Sequence, residues 1–499
     1  MRRLPGLLLA LLVLLSGCSV GFQPESGPIG PDPTATPTPT PHGDPGVTPT
    51  PDSDATPTPA ASTDLPDPAS DVLGWEDGYW HNESLSVNQS DGLNQTELRA
   101  VVARSMARVE VIRELEFKQR VPVDIVLRSA YQNRSSPEYS EAFRTFDNTK
   151  FESLFLIGED RDALAVQEGN RGSSVLGFYS PANDSIVIIA DSETPQFSNE
   201  LTLGHELVHA AQDQYFDLGS FVRPTREAYN AKNGLIEGDA NYVQSTYRER
   251  CESEWECLRA PSGGGGGGGD FHLGVYILNY FPYSDGPGFV KYFERRGGWE
   301  RVDELYAAPP ASTEQVIDPP KYGTDMPTDV TLTDRTANGW ERVVPEPPSS
   351  SPRPPYAVFG QSGVATMFAY TLYDPYNRSA AIAPDDFLNR EGGSINRTDP
   401  FNYDIAPASG WDGDRLHIYE KDGEAAYVWK LVWDSPSEAE EFADAYGRLL
   451  SHYGGAKTGP DTYVIDSGPY ADAFRVTVSG DTVVIVNAPT TGDLDDVRR

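Results

Sequence analysis

The chain is poor in cysteine, lysine and histidine, and these shortages exclude several classes of protein. Three cysteines among 499 residues are too few for a scaffold built on several disulfides or on cysteine-rich zinc modules. Only 39 residues are basic against 75 acidic ones, which gives a formal net charge of -36. Such a chain repels the phosphates of nucleic acid. We therefore predict that it has no nucleic-acid partner.

The acidic excess is spread along the whole chain instead of forming one tail. Lysine supplies only 8 of the 39 basic residues. Concentrated salt screens the self-repulsion that so many carboxylates create. The composition therefore favours a halophilic, archaeal protein, with an ordinary acidic secreted protein as the alternative.

The longest apolar run lies at the N-terminus, where Leu7 to Leu15 follow Arg2 and Arg3. Nine apolar residues are too few to span a bilayer but suit the core of a signal peptide. The next residues, Ser16-Gly-Cys18, resemble a lipobox. We predict a signal peptide over residues 1–18 and lipid attachment at Cys18, which anchors the protein to the extracellular face of the cell membrane. A cleaved secretory signal with an incidental cysteine is the alternative.

Composition and periodicity divide the remainder into three parts. Residues 19–70 are dominated by Pro, Thr, Asp and Ser, which predicts a disordered stalk. Residues 71–405 hold the helices and strands of a larger domain, and residues 406–499 read as a small α+β domain of strands and one helix. The expected fold class is α+β. Cys251 and Cys257 are separated by five residues, and outside the cell they favour a disulfide.

One motif carries chemistry. Thr202-Leu-Gly-His-Glu-Leu-Val-His209 contains His-Glu-x-x-His in a chain with only seven histidines. On a helix from about Asn199 to Gln214, His205 and His209 lie one turn apart, so both imidazoles can reach one ion. We expect them at the edge of an inward face formed by Leu201, Gly204, Val208, Ala211 and Tyr215. Two surface histidines that bind no metal are the alternative.

Glu237 is the candidate third ligand. It lies in Leu235-Ile-Glu-Gly-Asp-Ala240, beside the buried stripe of a helix predicted over 234–247, where a carboxylate is unfavourable unless it is paired or metal-bound. Two imidazoles and one carboxylate leave a zinc site with a net charge of about +1 and an open position for water, whose proton Glu206 can accept. The alternative for Glu237 is a carboxylate favoured by the helix dipole.

His-Glu-Leu-Val-His followed by Glu-Gly-Asp-Ala resembles the gluzincin metallopeptidases. The resemblance implies a gluzincin-like domain in which His205, His209 and Glu237 bind Zn²⁺ and Glu206 is the general base. Gly177-Phe-Tyr and the strand from Ile186 resemble the edge strand on which such enzymes hold extended substrates. Around these motifs, the chain as a whole resembles haloarchaeal surface lipoproteins.

Two further positions bear on this resemblance. Phe281-Pro-Tyr-Ser-Asp-Gly286 resembles the segment that carries the oxyanion-stabilising tyrosine, which would be Tyr283. An ordinary core tyrosine is the alternative reading. Asn241 stands where some gluzincins have an aspartate that supports a ligand histidine, so the histidine partner is left unassigned. The chain also lacks Gly-x-Met-Glu-Asn, which argues against a typical aminopeptidase.

We expect a cell-surface zinc hydrolase that cleaves peptide bonds of extracellular peptides or proteins with zinc-activated water. A non-catalytic surface or adhesion lipoprotein with a structural or vestigial zinc site is the main alternative. In that case His272 or a further carboxylate could close the fourth position on the metal. Hydrolysis of another amide, such as a peptidoglycan-like linkage, is a third possibility.

Overall fold

The computed structural model describes residues 67–133, 138–196, 200–258, 271–347, 353–376, 378–396 and 398–499. The predicted signal peptide, Cys18 and the stalk up to residue 66 lie outside these residues, so those predictions stay predictions. Within the described residues, no helix combines the length and the apolar character that crossing a membrane requires.

The described part of the chain has an α+β fold. Its longer helices are α1 (Gln95–Arg113), α2 (Glu141–Ser153), α3 (Ala163–Ser174), α4 (Glu200–Phe216), α5 (Arg226–Ser253), α6 (Leu273–Ser284), α7 (Gly286–Ala307), α8 (Gly360–Tyr370) and α9 (Pro436–His452). Its principal strands are β1 (Val123–Leu127), β2 (Gly177–Ser180), β3 (Ser185–Ala190), β4 (Glu341–Arg342), β5 (Trp411–Lys421), β6 (Glu424–Trp433), β7 (Ala456–Lys457), β8 (Thr462–Val464), β9 (Ala473–Ser479) and β10 (Thr482–Ala488).

A small sheet lies beside the helices that carry the motif. Its strand order is β1-β3-β2, with β3 parallel to β1 and antiparallel to β2. The predicted strands at 177–179 and 186–190 are thus confirmed, and β2 is an edge strand. Because alternate residues of an edge strand direct their backbone groups away from the sheet, β2 has backbone groups that face its other neighbours, and one of them, the N–H of Tyr179, donates to Glu206.

The second sheet is antiparallel throughout, with the order β7-β8-β9-β10-β6-β5-β4. The strands expected after residue 406 are present. Oγ of Ser435 accepts from the backbone of Glu438 and caps α9, while the Glu438 carboxylate packs against Gly410. The sheet also takes in β4, which precedes the predicted boundary at 405, so that boundary stays a prediction.

Two large apolar clusters hold the motif helices. One cluster joins α1 and the small sheet to Leu203, Leu207 and Val208 of α4. The other joins α6, α7 and α8 to the large sheet and includes Leu235 and Ile236 of α5. On α5, Ile236 is the last residue that belongs to the second cluster, and Ala240 and Val243 belong to the first. Glu237 is therefore at the junction between the two clusters.

Helix α4 occupies the predicted position, but the predicted placement of its histidines at the edge of an inward face is wrong. Residues 203 to 212 are buried on every side of the helix, and His205 and His209 are at most 1% exposed. Packing against α1, α5 and the small sheet covers the faces that periodicity alone assigned to solvent. Helix α5 also begins eight residues earlier than predicted, because Oγ1 of Thr225 accepts from the backbone of Ala228 and caps it.

Candidate metal centre

The two histidines of α4 and the glutamate of α5 converge on one point. Nε2 of His205 and Nε2 of His209 are 3.1 Å apart, and each lies 3.4 Å from Oε2 of Glu237. Ligands bound tetrahedrally to zinc at about 2.0–2.1 Å are separated by about 3.3 Å. The three donor atoms therefore have the spacing that one tetrahedral zinc ion requires.

The hydrogen bonding of these atoms fits a bound cation. Oε2 of Glu237 is buried and accepts no hydrogen bond, and a buried carboxylate oxygen without a partner is unfavourable. Among the residues that the structure describes, no fourth His, Cys, Asp or Glu joins this group. His272, which could have closed the site, instead caps α6 through Nδ1 and contacts the hydroxyl of Tyr370. The arrangement therefore offers three candidate ligand atoms to a cation.

The charges of Glu237 and His209 influence each other. Burial alone would raise the pKa of Glu237, but His209 and His205 lower it to about 2. Burial would lower the pKa of His209, but the Glu237 carboxylate raises it to about 9. The site thus contains a carboxylate that stays ionised, and its negative charge stabilises the protonated form of His209. A cation bound there would take the place of the proton on His209.

Gln212 fixes the tautomer of His209. The amide of Gln212 donates to the carbonyl of Ile236 over 2.9 Å, so its oxygen faces Nδ1 of His209 at 2.8 Å. Nδ1 must then carry the proton and donate it, which leaves a lone pair on Nε2 of neutral His209, as a metal ligand requires. Gln212 is the histidine partner that the sequence reading left unassigned. For His205, Nδ1 has no hydrogen-bond partner within the described ranges.

Glu206 faces the edge strand. Its Oε2 accepts from the backbone N–H of Tyr179 at 2.9 Å, and its Oε1 is buried without a hydrogen-bond partner. Burial raises the pKa of Glu206, although the two histidines oppose the shift. One oxygen is therefore fixed by β2, while the other is free to accept a proton from a reacting group.

Tyr283 is brought to the site, as the resemblance implied. Its ring stacks on His205 with 6.4 Å between the ring centres, and its hydroxyl interacts electrostatically with Glu237. Burial raises the pKa of Tyr283 well above its usual range, so the hydroxyl remains a donor. Asn241 donates to the backbone carbonyl of Tyr283 at 3.3 Å and so supports the tyrosine, not a histidine.

Close helix contacts set this geometry. Gly238, next to Glu237, lies against Gly286, and a Cβ added to Gly238 would be 2.4 Å from the backbone of Gly286. A Cβ on Gly204, next to His205, would be 3.1 Å from the ring of Tyr247. Glycine at position 238 lets the start of α7 approach α5 so closely, and glycine at position 204 lets α4 pack tightly against the Tyr247 ring on α5.

Buried ion pairs anchor the same two helices. Glu200, at the start of α4, accepts from Arg104 at 2.8 Å and from Arg108 at 2.7 Å. Asp239 of α5 pairs with Arg113 at 3.0 Å and accepts from Tyr306 at 2.7 Å. Asp239 thus faces away from His205, His209 and Glu237, because residues two apart on a helix lie on different faces. The structure also joins Cys251 and Cys257 near the end of α5 in a disulfide.

Another group of three acidic residues already surrounds a basic side chain. Glu314, Asp325 and Asp434 lie close enough to hold a cation, but Nζ of Lys321 lies between them at 2.6, 3.1 and 2.9 Å. The ammonium group therefore takes the place that a metal would need. The His205, His209 and Glu237 group differs in having no basic side chain at its centre.

The structure brings together all five residues that the sequence nominated: His205, Glu206, His209, Glu237 and Tyr283. Sequence reasoning missed Gln212 and the backbone N–H of Tyr179. Gln212 lies three residues after His209 on the same helix, so helical spacing was the available signal. Nothing in the sequence indicated that the N–H of Tyr179 would meet Glu206, because that contact depends on how the small sheet docks on α4.

Comparisons with known proteins add one match. Residues 346–498 match a family described as a domain of unknown function (DUF8575). No curated protein and no solved structure matches the chain. The family match covers β5 to β10 and α9, and the metal-ligand residues precede it.

Proposed function

We propose that the protein is a zinc-dependent hydrolase of gluzincin type that cleaves peptide bonds. The observation that carries the proposal is the convergence of His205, His209 and Glu237 on one point beside Glu206, which keeps an unpartnered carboxylate oxygen. Zinc bound there would supply Lewis acidity that polarises a carbonyl and lowers the pKa of water.

The residues of the chain have separate roles in this proposal. Oε1 of Glu206 accepts the proton of the attacking water as its oxygen bonds to the peptide carbonyl carbon. The hydroxyl of Tyr283 donates to the oxygen on which negative charge develops. When the C–N bond breaks, Glu206 returns the proton to the leaving amine, while the second proton of the water stays on the new carboxyl oxygen, so the products are one carboxylic acid and one amine.

The edge strand β2 is suited to hold an extended peptide. In the pairing with β3, the N–H of Tyr179 points away from the sheet towards Glu206. The backbone groups of Gly177 point to the same side because residues two apart in a strand face alike. A peptide added along this side would gain main-chain hydrogen bonds and bring one of its carbonyl groups to the metal ligands.

The proposed location is the extracellular face of the cell membrane, with a lipid anchor at Cys18. This part of the proposal is supported by the sequence of residues 1–18 and by the Cys251–Cys257 disulfide. Disulfides persist in oxidising surroundings outside the cell. Extracellular peptides or proteins are then the accessible substrates.

One observation favours the alternative of a non-catalytic surface lipoprotein with a structural zinc site. Glu206 and the three ligands are at most 2% exposed. A structural site is normally closed to solvent, while a catalytic site must admit substrate. On this alternative the protein binds zinc and cleaves nothing.

Comparison of the intact protein with Glu206→Gln separates the two functions. Both proteins would be purified in concentrated salt, assayed for zinc by elemental analysis and incubated with a peptide library. The hydrolase proposal expects equal zinc content and a loss of cleavage on the order of 100- to 10,000-fold in the variant. Zinc in both proteins with cleavage in neither would favour the structural site.

A further inference from the structure

A single arginine lies in the connection between the two ligand-bearing helices. Residues 217–225 join the end of α4 to the start of α5, and Arg223 is in this loop. The loop is fixed at several points: the backbone N–H of Leu218 donates to Asp213, Lys232 donates to the carbonyl of Val222, and Thr225 caps α5. The position of Arg223 is thereby tied to that of the two helices.

Arg223 has no acidic partner in the part of the chain that the structure describes. Its side chain is half-buried, and its Nε is buried without a hydrogen-bond partner. The buried arginines of α1 are different, since Arg104 and Arg108 pair with Glu200 and Arg113 pairs with Asp239. The guanidinium lies over the ring of Phe221 at 5.8 Å but has no counter-ion among the described residues, which is unexpected in a chain with 75 acidic residues, because a desolvated charge without a counter-ion is unfavourable.

Arg223 is within electrostatic range of the candidate metal site. It interacts electrostatically with Tyr229 and with Glu237, and Tyr229 in turn interacts with Tyr283. Arg226, whose NH1 bonds to Asn279 at 3.0 Å, adds positive charge beside the same Tyr229 ring at 5.5 Å. Among the described residues, Glu237 is the acidic group that acts on Arg223, and a metal ion bound there would offset its charge. The guanidinium would then lack an anionic partner of its own.

We propose that Arg223 is a specificity-determining residue that binds a carboxylate group of the peptide substrate. The inference rests on the proposed function in that the ligand is a peptide held at the zinc site. A guanidinium forms two parallel hydrogen bonds to a carboxylate. The carboxylate can come from the C-terminus of the peptide or from an acidic side chain, and both sources have the same chemistry at Arg223.

Direct binding tests this inference without turnover. The zinc-loaded Glu206→Gln protein would be titrated with fluorescent peptides in two matched pairs, by anisotropy in concentrated salt. One pair has the same sequence ending in a free carboxylate or a carboxamide, and the other carries Glu or Gln at one internal position. The expected result is tighter binding of one carboxylate peptide than its neutral partner by on the order of 10- to 100-fold. The pair that shows the difference identifies the source.

The same titration with Arg223→Gln added should reduce the preference to about twofold or less, and Arg223→Lys should retain part of it because charge survives without the planar fork. Arg475→Gln is the control. Arg475 lies on the large sheet and pairs with the exposed Asp495. Zinc content and melting temperature of each variant verify that the protein is folded. The inference would be overturned if the acidic and neutral peptides bound equally or not at all. It would also be overturned if the preference survived in Arg223→Gln.

Cleavage by the intact protein, measured in parallel, separates the two proposals. If the carboxylate preference is present but no peptide is cleaved, the hydrolase proposal fails and the carboxylate site stands. If peptides are cleaved through Glu206 without any carboxylate preference, the hydrolase proposal stands and the role of Arg223 is wrong.

Discussion

The side-chain oxygen of Gln212 lies 2.8 Å from Nδ1 of His209 and is held there by the bond that its amide donates to the carbonyl of Ile236. Gln212 thus connects a ligand on α4 to the residue that precedes the ligand Glu237 on α5. One amide group both selects the tautomer of the histidine and joins the two helices.

Gln212→Leu should weaken zinc binding by on the order of 10- to 100-fold, because His209 loses the acceptor that fixes its tautomer and orientation. The measurement is competition for zinc against a chelator of known affinity. Gln214→Leu is the matched control two residues along the same helix, where Gln214 bonds to the backbone of Lys118 and Gln119. Equal zinc affinities in the two variants would show that the contact between Gln212 and His209 does not support the metal.

Tyr283→Phe should lower kcat on a cleaved peptide by on the order of 100- to 1,000-fold and leave zinc content unchanged, since only the donor to the developing charge is removed. Tyr276→Phe, about two turns earlier on α6, is the matched control. The hydroxyl of Tyr276 is buried without a hydrogen-bond partner, so its removal breaks no hydrogen bond. That variant should keep full activity. If Tyr283→Phe leaves kcat unchanged, Tyr283 is an ordinary core tyrosine.

Gly238→Ala should destabilise the protein by about 1–3 kcal/mol, because the new Cβ meets the backbone of Gly286. The clash outweighs the gain in helix propensity of about 1 kcal/mol. Gly288→Ala should instead stabilise by about 0.4–1 kcal/mol, since nothing lies within 4 Å of its added Cβ. Thermal melting of both variants tests this, and shifts of the same sign would contradict the close contact of α5 with the start of α7.

A buried pair of carboxylates should make stability depend on pH. Burial and the neighbouring Glu110 raise the pKa of Glu76 to about 9, and burial raises the pKa of Glu110 to about 7. Both values exceed the value of about 4.3 for glutamate in an unfolded chain, so the folded protein holds protons that the unfolded chain releases. This contribution to the unfolding free energy is full near pH 4 and is lost as pH rises through 7 to 9.

Glu76→Gln should flatten this dependence, because the amide can still bond to Glu110 without bringing a second charge. Urea unfolding of both proteins at several pH values between about 5 and 9 measures it, with Glu300→Gln, an exposed position on α7, as the control. If Glu76→Gln and Glu300→Gln lose stability with pH to the same extent, the pair does not share a proton in the folded protein.

Local patterns predicted much of the fold. The strands at 177–180 and 185–190 followed from their apolar runs on either side of a turn, and α4 followed from the spacing of its apolar residues. The strands of the large sheet were likewise recognisable because each is a short alternating or apolar run. The start of α5 was missed by eight residues, because its first two turns are held by the Thr225 cap and by packing, which a search for apolar periodicity does not detect.

The sequence by itself singled out the residues of the candidate site. The spacing of His205 and His209 is set by helix geometry, and Glu237 is an acidic residue beside a buried stripe, so both signals are local. Only the tertiary structure decided that Glu237 meets the histidines at 3.4 Å, that Gln212 and Tyr179 bond to His209 and Glu206, and that Nε of Arg223 is buried without a hydrogen-bond partner in the described part of the chain. These relationships depend on how α4, α5 and the small sheet pack, and packing is the sum of many weak contacts between residues that are distant in the chain.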